Sequence, residues 1–411
     1  MKRKFVRGIG AVGFAFMLHS ALALPVFAAD ETCKIADTAI TDASAIRKLK
    51  IRKSVPCFVH DKDKVKGYLL HAIETKIPAQ KLKMEEVVYK ALGLLPAGFD
   101  YQKGIVDLYL GQIGGYYDPE GKHFVMAGWL PAMMQTTVAV HELTHALQDQ
   151  HFNLETFMDE KRLSGDELMA RSALVEGDAT AVMLDYARGL VGQPGIEKEK
   201  DVESIMLQNL ISSSLVAGMS NVPQSLQMML IFPYTSGLRF AHALLESGSY
   251  AAIDKAFKRP PRSTEEILHP QKYLSAQADF EKFDPQSLRP KEVSTSISSS
   301  YQDSLGEFVI STLLAGGTVD KNVAALAAAG WAGDEVAVFD DTAAAKRYVV
   351  WKTKWDSASD AEEFFELYVT LLSRLYSGFA LRDKNTALLP GKVRLEKSGL
   401  FVDLLITQPL Q

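Results

Sequence analysis

The chain has 411 residues, of which 47% are hydrophobic, 23% are charged and 9% are aromatic. This length and composition are typical of a globular protein with two or three domains, and they exclude a disordered or fibrous chain. The net charge is −5, whereas a nucleic-acid-binding protein usually carries a basic excess, so we expect no nucleic-acid partner. Two cysteines are too few for a disulfide scaffold or a cysteine-rich zinc module. A metal would therefore have to be bound by histidines and carboxylates.

The beginning of the chain has the pattern of a secretory signal peptide, which we assign to residues 1–28. A basic segment precedes an apolar run over residues 9–24, and Val26 and Ala28 supply small residues at the two positions that a signal peptidase reads. The apolar run is interrupted by His19 and Ser20 and is followed by Pro25, which disfavours a membrane anchor. We expect cleavage after Ala28 and an exported protein, periplasmic or extracellular, that has no membrane span once the signal is removed.

Residues 29–95 form the predicted N-terminal region. It begins with a polar stretch, and apolar patterns then indicate one short apolar segment and two helices, at residues 55–59, 65–75 and 84–94. Cys33 and Cys57 lie in this region and are free to pair in an oxidising compartment.

Residues 96–293 form the predicted catalytic domain, which is mainly helical. Short strands are predicted at residues 106–110 and 123–126, around a turn signal at residues 118–121. Helical periodicity predicts the following helices: residues 136–150, 164–189, 223–230, 236–245 and 250–257. Ser263 and Glu266 have the spacing of a capping box, which predicts one more short helix.

The polar run at residues 294–300 is the predicted linker, and residues 301–411 form a predicted C-terminal α+β domain. Its expected elements are an alanine-rich helical stretch up to Gly330, strands at 335–339 and 348–352, a helix at 358–375, and a hairpin of 392–396 and 400–407. The whole chain is thus predicted to be α+β and mainly α.

The most informative motif is His141-Glu142-Leu143-Thr144-His145, an HExxH pattern. Four residues turn a helix by about 400°, so the two imidazoles lie on one face, one turn apart. That spacing suits two neutral imidazole nitrogens that bind one Zn²⁺ at about 2.0–2.1 Å. Glu142 lies about 100° further round the helix, where a general base can take a proton from a zinc-bound water.

A catalytic zinc site usually has three protein ligands, and the chain offers two candidates for the third. His151 has the spacing of the longer HExxHxxGxxH motif, but the position where that motif leaves the helix holds Gln148 instead of glycine. If the helix continues, His151 lies about 9 Å beyond His145 along the axis and cannot share its metal. Glu176 lies in a separate helical segment, beside Gly177, which would allow two helices to approach closely. Glu176 is therefore favoured, and His151 stays the alternative.

The sequence HELTHALQDQ at residues 141–150, followed by EGDA at residues 176–179, resembles the gluzincin metallopeptidases. It is most similar to a group of poorly characterised secreted bacterial proteins of that clan. The similarity extends to residues 232–237, 263–270 and 330–334 and covers most of the mature chain, although only the zinc motif is specific about chemistry.

The resemblance implies a zincin-like catalytic domain with a small edge sheet, in which His141, His145 and Glu176 bind Zn²⁺. It also implies hydrolysis of a protein or peptide substrate. Many gluzincins carry an aspartate four residues after the glutamate ligand, where it bonds the first zinc histidine. This chain has Thr180 at that position, and the nearest acid is Asp178. The partner of the zinc histidines is therefore left open.

Two further features fit a peptidase. In the resembled enzymes the strand before the zinc helix, here residues 123–126, forms an edge on which extended substrate pairs, and a plain core hairpin is the alternative. Zinc peptidases also need a donor for the developing oxyanion, for which Tyr234 and His269 are candidates. The alternatives are an aromatic residue at a helix start for Tyr234 and a loop histidine for His269.

Together these features predict an exported zinc metallopeptidase, with Glu142 as the catalytic base. One alternative is a catalytically silent binding or scaffold protein on a zincin fold, against which the intact Glu142 argues. Another is a zinc hydrolase that acts on a non-peptide amide or ester. A cysteine switch that blocks the metal would need a free thiol at Cys33 or Cys57.

Overall fold

The computed structural model describes residues 29–76, 79–202, 204–205, 222–276, 280–317 and 319–410, so the predicted signal peptide lies outside the described residues. The described chain is mixed α/β and mainly helical. Its α-helices are α1 (Ala29–Arg47), α2 (Lys62–Lys76), α3 (Ala79–Leu92), α4 (Tyr101–Gln112), α5 (Ala132–Phe152), α6 (Leu154–Phe157), α7 (Gly165–Leu190), α8 (Gln224–Lys258), α9 (Thr264–Leu268), α10 (Pro270–Leu274), α11 (Gly306–Gly317), α12 (Lys321–Ala328) and α13 (Ala358–Leu375). Its strands are β1 (Cys57–His60), β2 (Gly115–Asp118), β3 (His123–Ala127), β4 (Tyr301–Asp303), β5 (Trp331–Asp341), β6 (Lys346–Trp355), β7 (Ala380–Asp383), β8 (Thr386–Leu389), β9 (Val393–Ser398) and β10 (Phe401–Pro409).

A small three-stranded sheet has the order β1-β3-β2, with β3 parallel to β1 and antiparallel to β2. The predicted strand at residues 123–126 is therefore confirmed, but the expectation that it forms the edge of the sheet is wrong. It is central because β1, which we predicted only as an apolar segment, pairs with its other side. The edge next to helix α5 belongs to β2, which contacts α5.

The strand predicted at residues 106–110 is wrong, because these residues belong to helix α4. Val106 and Leu108 are both buried, and such a short apolar run is compatible with a buried helix as well as with a strand.

Helix α1 was not predicted from the sequence. Its buried face consists largely of small residues, Ala36, Ala39 and Ala43, together with Ile40, and it packs closely against α5. These positions repeat at helical spacing, but alanine contributes little to a hydrophobic pattern.

Cys33 and Cys57 form a disulfide that joins α1 to β1, so the two cysteines that we expected to be free to pair do so. The disulfide leaves no free thiol for a cysteine switch.

Helices α7 and α8 pack along each other more extensively than any other pair of described elements. A capping box of Ser164 and Glu167 starts α7 close to the predicted residue. Helix α8 runs without a break through the first two segments that we predicted separately, residues 223–230 and 236–245. The third predicted segment, residues 250–257, follows a kink at Gly248 and Ser249, where the backbone is not helical. Pro233 lies inside the unbroken part, and the burial of this part of α8 against α7 outweighs the local cost of a proline.

The C-terminal segment forms a seven-stranded sheet in the order β4-β5-β6-β10-β9-β8-β7, with antiparallel pairing throughout. The predicted strands, the terminal hairpin and helix α13 are all present. Residues 294–300 lie along this sheet, where Ser300 N–H donates to Val338 O. One buried apolar cluster extends from Leu82 of α3 to Ile406 of β10, so the C-terminal sheet packs on the helices. The domain boundaries stay predictions.

None of the described helices combines the length and the apolar character that a membrane span requires.

Candidate metal centre

Three side chains converge between α5 and α7. His141 Nε2 lies 3.1 Å from Glu176 Oε2, His145 Nε2 lies 3.2 Å from His141 Nε2, and His145 Nε2 lies 3.5 Å from Glu176 Oε2. Ligands at about 2.0–2.1 Å from one tetrahedral zinc are separated by about 3.3–3.4 Å. The three donor atoms therefore have the separations that a single tetrahedral metal ion requires, with the fourth position left for water or substrate.

The protonation of His145 follows from its neighbour Gln148. The Gln148 Nε2 amide donates to Val175 O at 3.0 Å and to Asp178 Oδ2 at 2.9 Å, so Gln148 Oε1 is the acceptor that lies 2.9 Å from His145 Nδ1. His145 must then carry a proton on Nδ1. In the neutral imidazole this leaves the lone pair on Nε2, which is the atom that faces the other two ligands.

Asp178 is the acid behind this network, and it is held by Arg47 of α1. The Arg47 Nε–H donates to both Asp178 oxygens, at 2.6 and 2.9 Å. Thr180, which occupies the position of the aspartate in many gluzincins, does not replace it. The Thr180 hydroxyl and His141 Nδ1 are both buried, and neither has a hydrogen-bond partner among the described residues. The second histidine therefore has a supporting carboxylate, through Gln148, and the first has none.

The pKa values of His145 and Glu176 show how the two side chains interact when no metal is bound. Burial disfavours the charged form of His145, but Glu176, Glu142 and the hydrogen bond with Gln148 together outweigh burial and raise the pKa of His145 to about 9. Burial alone would raise the pKa of Glu176, yet the two histidines hold this pKa well below its usual range. Without a metal, the site is thus an imidazolium–carboxylate pair, and metal binding has to displace the proton.

Glu142 follows the first histidine and is oriented by the edge strand. The Tyr117 backbone N–H of β2 donates to Glu142 Oε2 at 3.1 Å. Burial raises the pKa of the Glu142 carboxyl, and this effect exceeds the opposing effect of the two neighbouring histidines. Tyr117 is fixed in turn by Asp149, which accepts from its hydroxyl at 2.7 Å and from Lys122 Nζ at 2.9 Å.

A cleft of about 840 Å³ opens beside His145 and Glu176. His145, Glu176 and Tyr117 line one side of it, and the turn after β2 and the segment from residue 154 to residue 162 line the rest. This volume lies in the range of ligand-binding sites, and both the edge strand and two metal ligands border it.

The other predicted residues lie in different surroundings. The Tyr234 ring lies 6.2 Å from the His141 ring, between centroids, in the interior of α8 and not at a helix start. His269 Nε2 lies 2.9 Å from Glu307 Oε1 of α11, and its contacts are with this glutamate, away from the ligand cluster. His151 Nε2 lies 2.8 Å from Lys50 O, because α5 continues to Phe152 and carries His151 past the ligands.

Sequence reasoning missed two residues of this site. Gln148 follows His145 by three residues, a spacing at which helical side chains meet, so its role could have been predicted. Arg47 lies 131 residues before Asp178, and nothing in the local sequence indicates that the two side chains pair.

Comparisons with known proteins add little about this centre. A family described as "Domain of unknown function (DUF8575)" matches residues 294–403, about a quarter of the chain, and this match covers the C-terminal sheet without the metal centre. No curated protein matches the sequence. Among solved structures, the chain is similar to a candidate hydrolase with a novel fold from Chloroflexus aurantiacus. The identity is 17%, the TM-score is 0.37, and the match covers 60% of this chain and 89% of the other. A TM-score this low carries no argument about fold or activity.

Proposed function

We propose that the protein is an exported zinc metallopeptidase that hydrolyses peptide bonds in protein or peptide substrates. The observation that carries the proposal is the convergence of His141 Nε2, His145 Nε2 and Glu176 Oε2 at the separations of a tetrahedral metal site. The donor set also fits the metal, since two imidazoles and one carboxylate with one open position are typical ligands of catalytic zinc. The gluzincin resemblance of the same residues agrees with this assignment.

When bound, the metal would supply a Lewis acid that polarises the scissile carbonyl and lowers the pKa of a water molecule. Glu142 accepts the proton of the attacking water on its carboxylate and delivers it to the leaving amine. The raised pKa of Glu142 supports this role, because a general base works best when its pKa is near the working pH. The hydrogen bond from Tyr117 N–H holds the Glu142 carboxylate next to Tyr117, which lines the cleft.

The edge strand supports a peptide as the substrate. Within the described chain, β2 pairs with β3 on one side, and its other side faces the cleft through Tyr117. An extended peptide can add to such an edge by main-chain hydrogen bonds, which would align its carbonyl groups along the metal site. Tyr234 is the oxyanion donor that we propose, since its ring lies beside His141. The contact of His269 with Glu307 favours a structural role for that histidine.

Export is part of the proposal and is supported by two features of the N-terminal region. One is the signal-peptide pattern of residues 1–28 in the sequence. The Cys33–Cys57 disulfide is of the kind that persists in an oxidising compartment.

The test is metal analysis combined with hydrolysis of denatured casein. We expect about one zinc per chain and cleavage that a chelator abolishes and added zinc restores. The double variant His141→Ala, His145→Ala should lose both zinc and cleavage, whereas the matched control His151→Ala, on the same helix, should keep both. Full zinc retention in the double variant would refute the metal site. Zinc binding without cleavage of any unfolded protein would favour the scaffold or the non-peptide substrate.

A further inference from the structure

We propose that Arg47 is a positioning residue for the metal ligand His145, and that it acts through Asp178 and Gln148. The inference rests on the metal site proposed above. It assigns a role in metal binding to helix α1, which contributes no ligand and lies more than 90 residues before the HExxH motif in the sequence.

The burial of Arg47 is the first observation. Its side chain and that of Asp178 are both 0% exposed, and Asp254 Oδ1 of α8 lies 2.8 Å from Arg47 Nη1. Removing these charges from water is costly, and the pairing offsets this cost only in good geometry. Arg47 Nη2 has no hydrogen-bond partner among the described residues, so this arginine is not optimised for stability alone.

The second observation is an unbroken chain of hydrogen bonds from Arg47 to the ligand. Arg47 Nε fixes the Asp178 carboxylate, Asp178 Oδ2 accepts from Gln148 Nε2 at 2.9 Å, and Gln148 Oε1 lies 2.9 Å from His145 Nδ1. Each link is fully buried or nearly so, and Gln148 is 0% exposed. Arg47 therefore fixes the orientation of the Asp178 carboxylate, Asp178 fixes that of the Gln148 amide, and Gln148 fixes which His145 nitrogen carries the proton.

This chain determines which nitrogen of His145 is available to a metal. If Arg47 is removed, the buried Asp178 carboxylate loses its cation and no longer holds the Gln148 amide in one orientation. An amide that turns over presents its NH₂ group to His145 Nδ1, which must then accept. The proton of the neutral imidazole then lies on Nε2, and in that tautomer Nε2 cannot bind a metal ion.

Helix α1 is attached to the rest of the protein near both of its ends. The Cys33–Cys57 disulfide attaches it to β1, and Arg47 is its last residue. Docking of α1 and metal binding are thus coupled, and by thermodynamic linkage each should strengthen the other.

The experiment is titration of the metal-free full chain with Zn²⁺, and with Co²⁺ followed by its absorption spectrum, beside urea unfolding. Arg47→Met should weaken zinc binding by about 10–100-fold, the usual cost of losing an outer partner of a metal ligand. Arg347→Met is the matched control, because Arg347 is also buried and makes a two-point ion pair with Asp340, at 2.6 and 2.9 Å, between β5 and β6. It should lower stability but leave the zinc affinity and the cobalt spectrum unchanged.

A double variant separates positioning from plain stability. Arg47→Met with Asp178→Leu replaces the buried ion pair by apolar side chains, an exchange that often restores stability. We expect its stability to recover while zinc binding stays weak and the cobalt spectrum stays altered. Arg47→Lys, which can still donate to Asp178, should rescue part of the affinity.

Three results would overturn the inference. Wild-type zinc affinity in Arg47→Met would refute it while leaving the proposed metal site intact. Recovery of zinc affinity together with stability in the double variant would mean that Arg47 acts only on folding. If Arg47→Met does not fold, the double variant and Arg47→Lys provide the test instead. A wild-type protein that binds no zinc would refute the proposed function and the inference with it.

Discussion

The crossing of α7 and α8 gives the sharpest test of how the third ligand is positioned. Gly177 follows Glu176 directly, and a Cβ atom built on it would lie 2.9 Å from Gly237 Cα and closer still to the Gly237 carbonyl carbon and oxygen. Ordinary contacts begin at 3.4 Å. The neighbours are backbone atoms, which cannot rotate away. In Gly177→Ala the two helices must therefore separate by at least 0.5 Å to clear the Cα atom alone, and by more to clear the oxygen.

Two opposing terms determine the size of the effect. Alanine is favoured over glycine in a helix by about 1 kcal/mol, whereas forcing extra volume into a packed interface costs about 1–3 kcal/mol. The net expectation for Gly177→Ala is a loss of stability of up to about 2 kcal/mol. Functional sites tolerate displacements of about 0.5 Å, so movement of Glu176 with its helix should also weaken zinc binding.

Gly189, in the last turn of the same helix, is the matched control. It is exposed, and its Cβ would meet none of the described atoms within 4 Å, so Gly189→Ala should stabilise the protein by about 0.5–1 kcal/mol and leave zinc binding unchanged. Urea unfolding of the metal-free proteins and zinc titration measure both effects. If Gly177→Ala is stabilised as much as Gly189→Ala and binds zinc normally, the account of the helix crossing is refuted.

Three further predictions concern the ligands and the N-terminal helix. Glu176→Ala should lower zinc affinity sharply while His151→Ala leaves it nearly unchanged in competition titrations, and the reverse order would favour the longer histidine motif. Replacing Cys33 and Cys57 by serine should cost about 3 kcal/mol in urea unfolding, and unchanged stability would contradict a structural disulfide. In the metal-free protein, the pKa of His145 is raised to about 9, so its pairing should stabilise fully below pH about 6.5 and be lost as the pH rises through 9. Unfolding free energies that do not fall between these pH values would contradict the pairing.

The parts of the site that were predictable are those with a local pattern. The i, i+4 spacing of His141 and His145 places the two imidazoles on one helix face without any knowledge of the fold. Gly177 is conspicuous because a glycine in a helix interior is costly, and the close approach of α8 supplies the reason for it.

The parts that were not predictable depend on long-range packing. Nothing near Arg47 in the sequence indicates a partner in α7, since such a pair is defined only when α1 docks. The central position of β3 likewise depends on its pairing with β1, which lies much earlier in the sequence. Strand β1 is joined to α1 by the disulfide. The structural role of residues 330–334 is likewise defined only by the fold. Asp334 is buried and accepts hydrogen bonds from the indole N–H groups of Trp331 and Trp351 and from backbone amides at the start of α11.

The central claim, that Glu142 drives hydrolysis at a zinc site, is tested most directly by measuring zinc content and peptide cleavage together in Glu142→Gln. Glutamine keeps the shape of the side chain and can still accept the Tyr117 N–H, but it cannot take a proton from water. We predict full zinc content, unchanged folding and a loss of cleavage of about 10²–10⁴-fold. Cleavage that continues undiminished in the zinc-loaded Glu142→Gln protein would contradict the account.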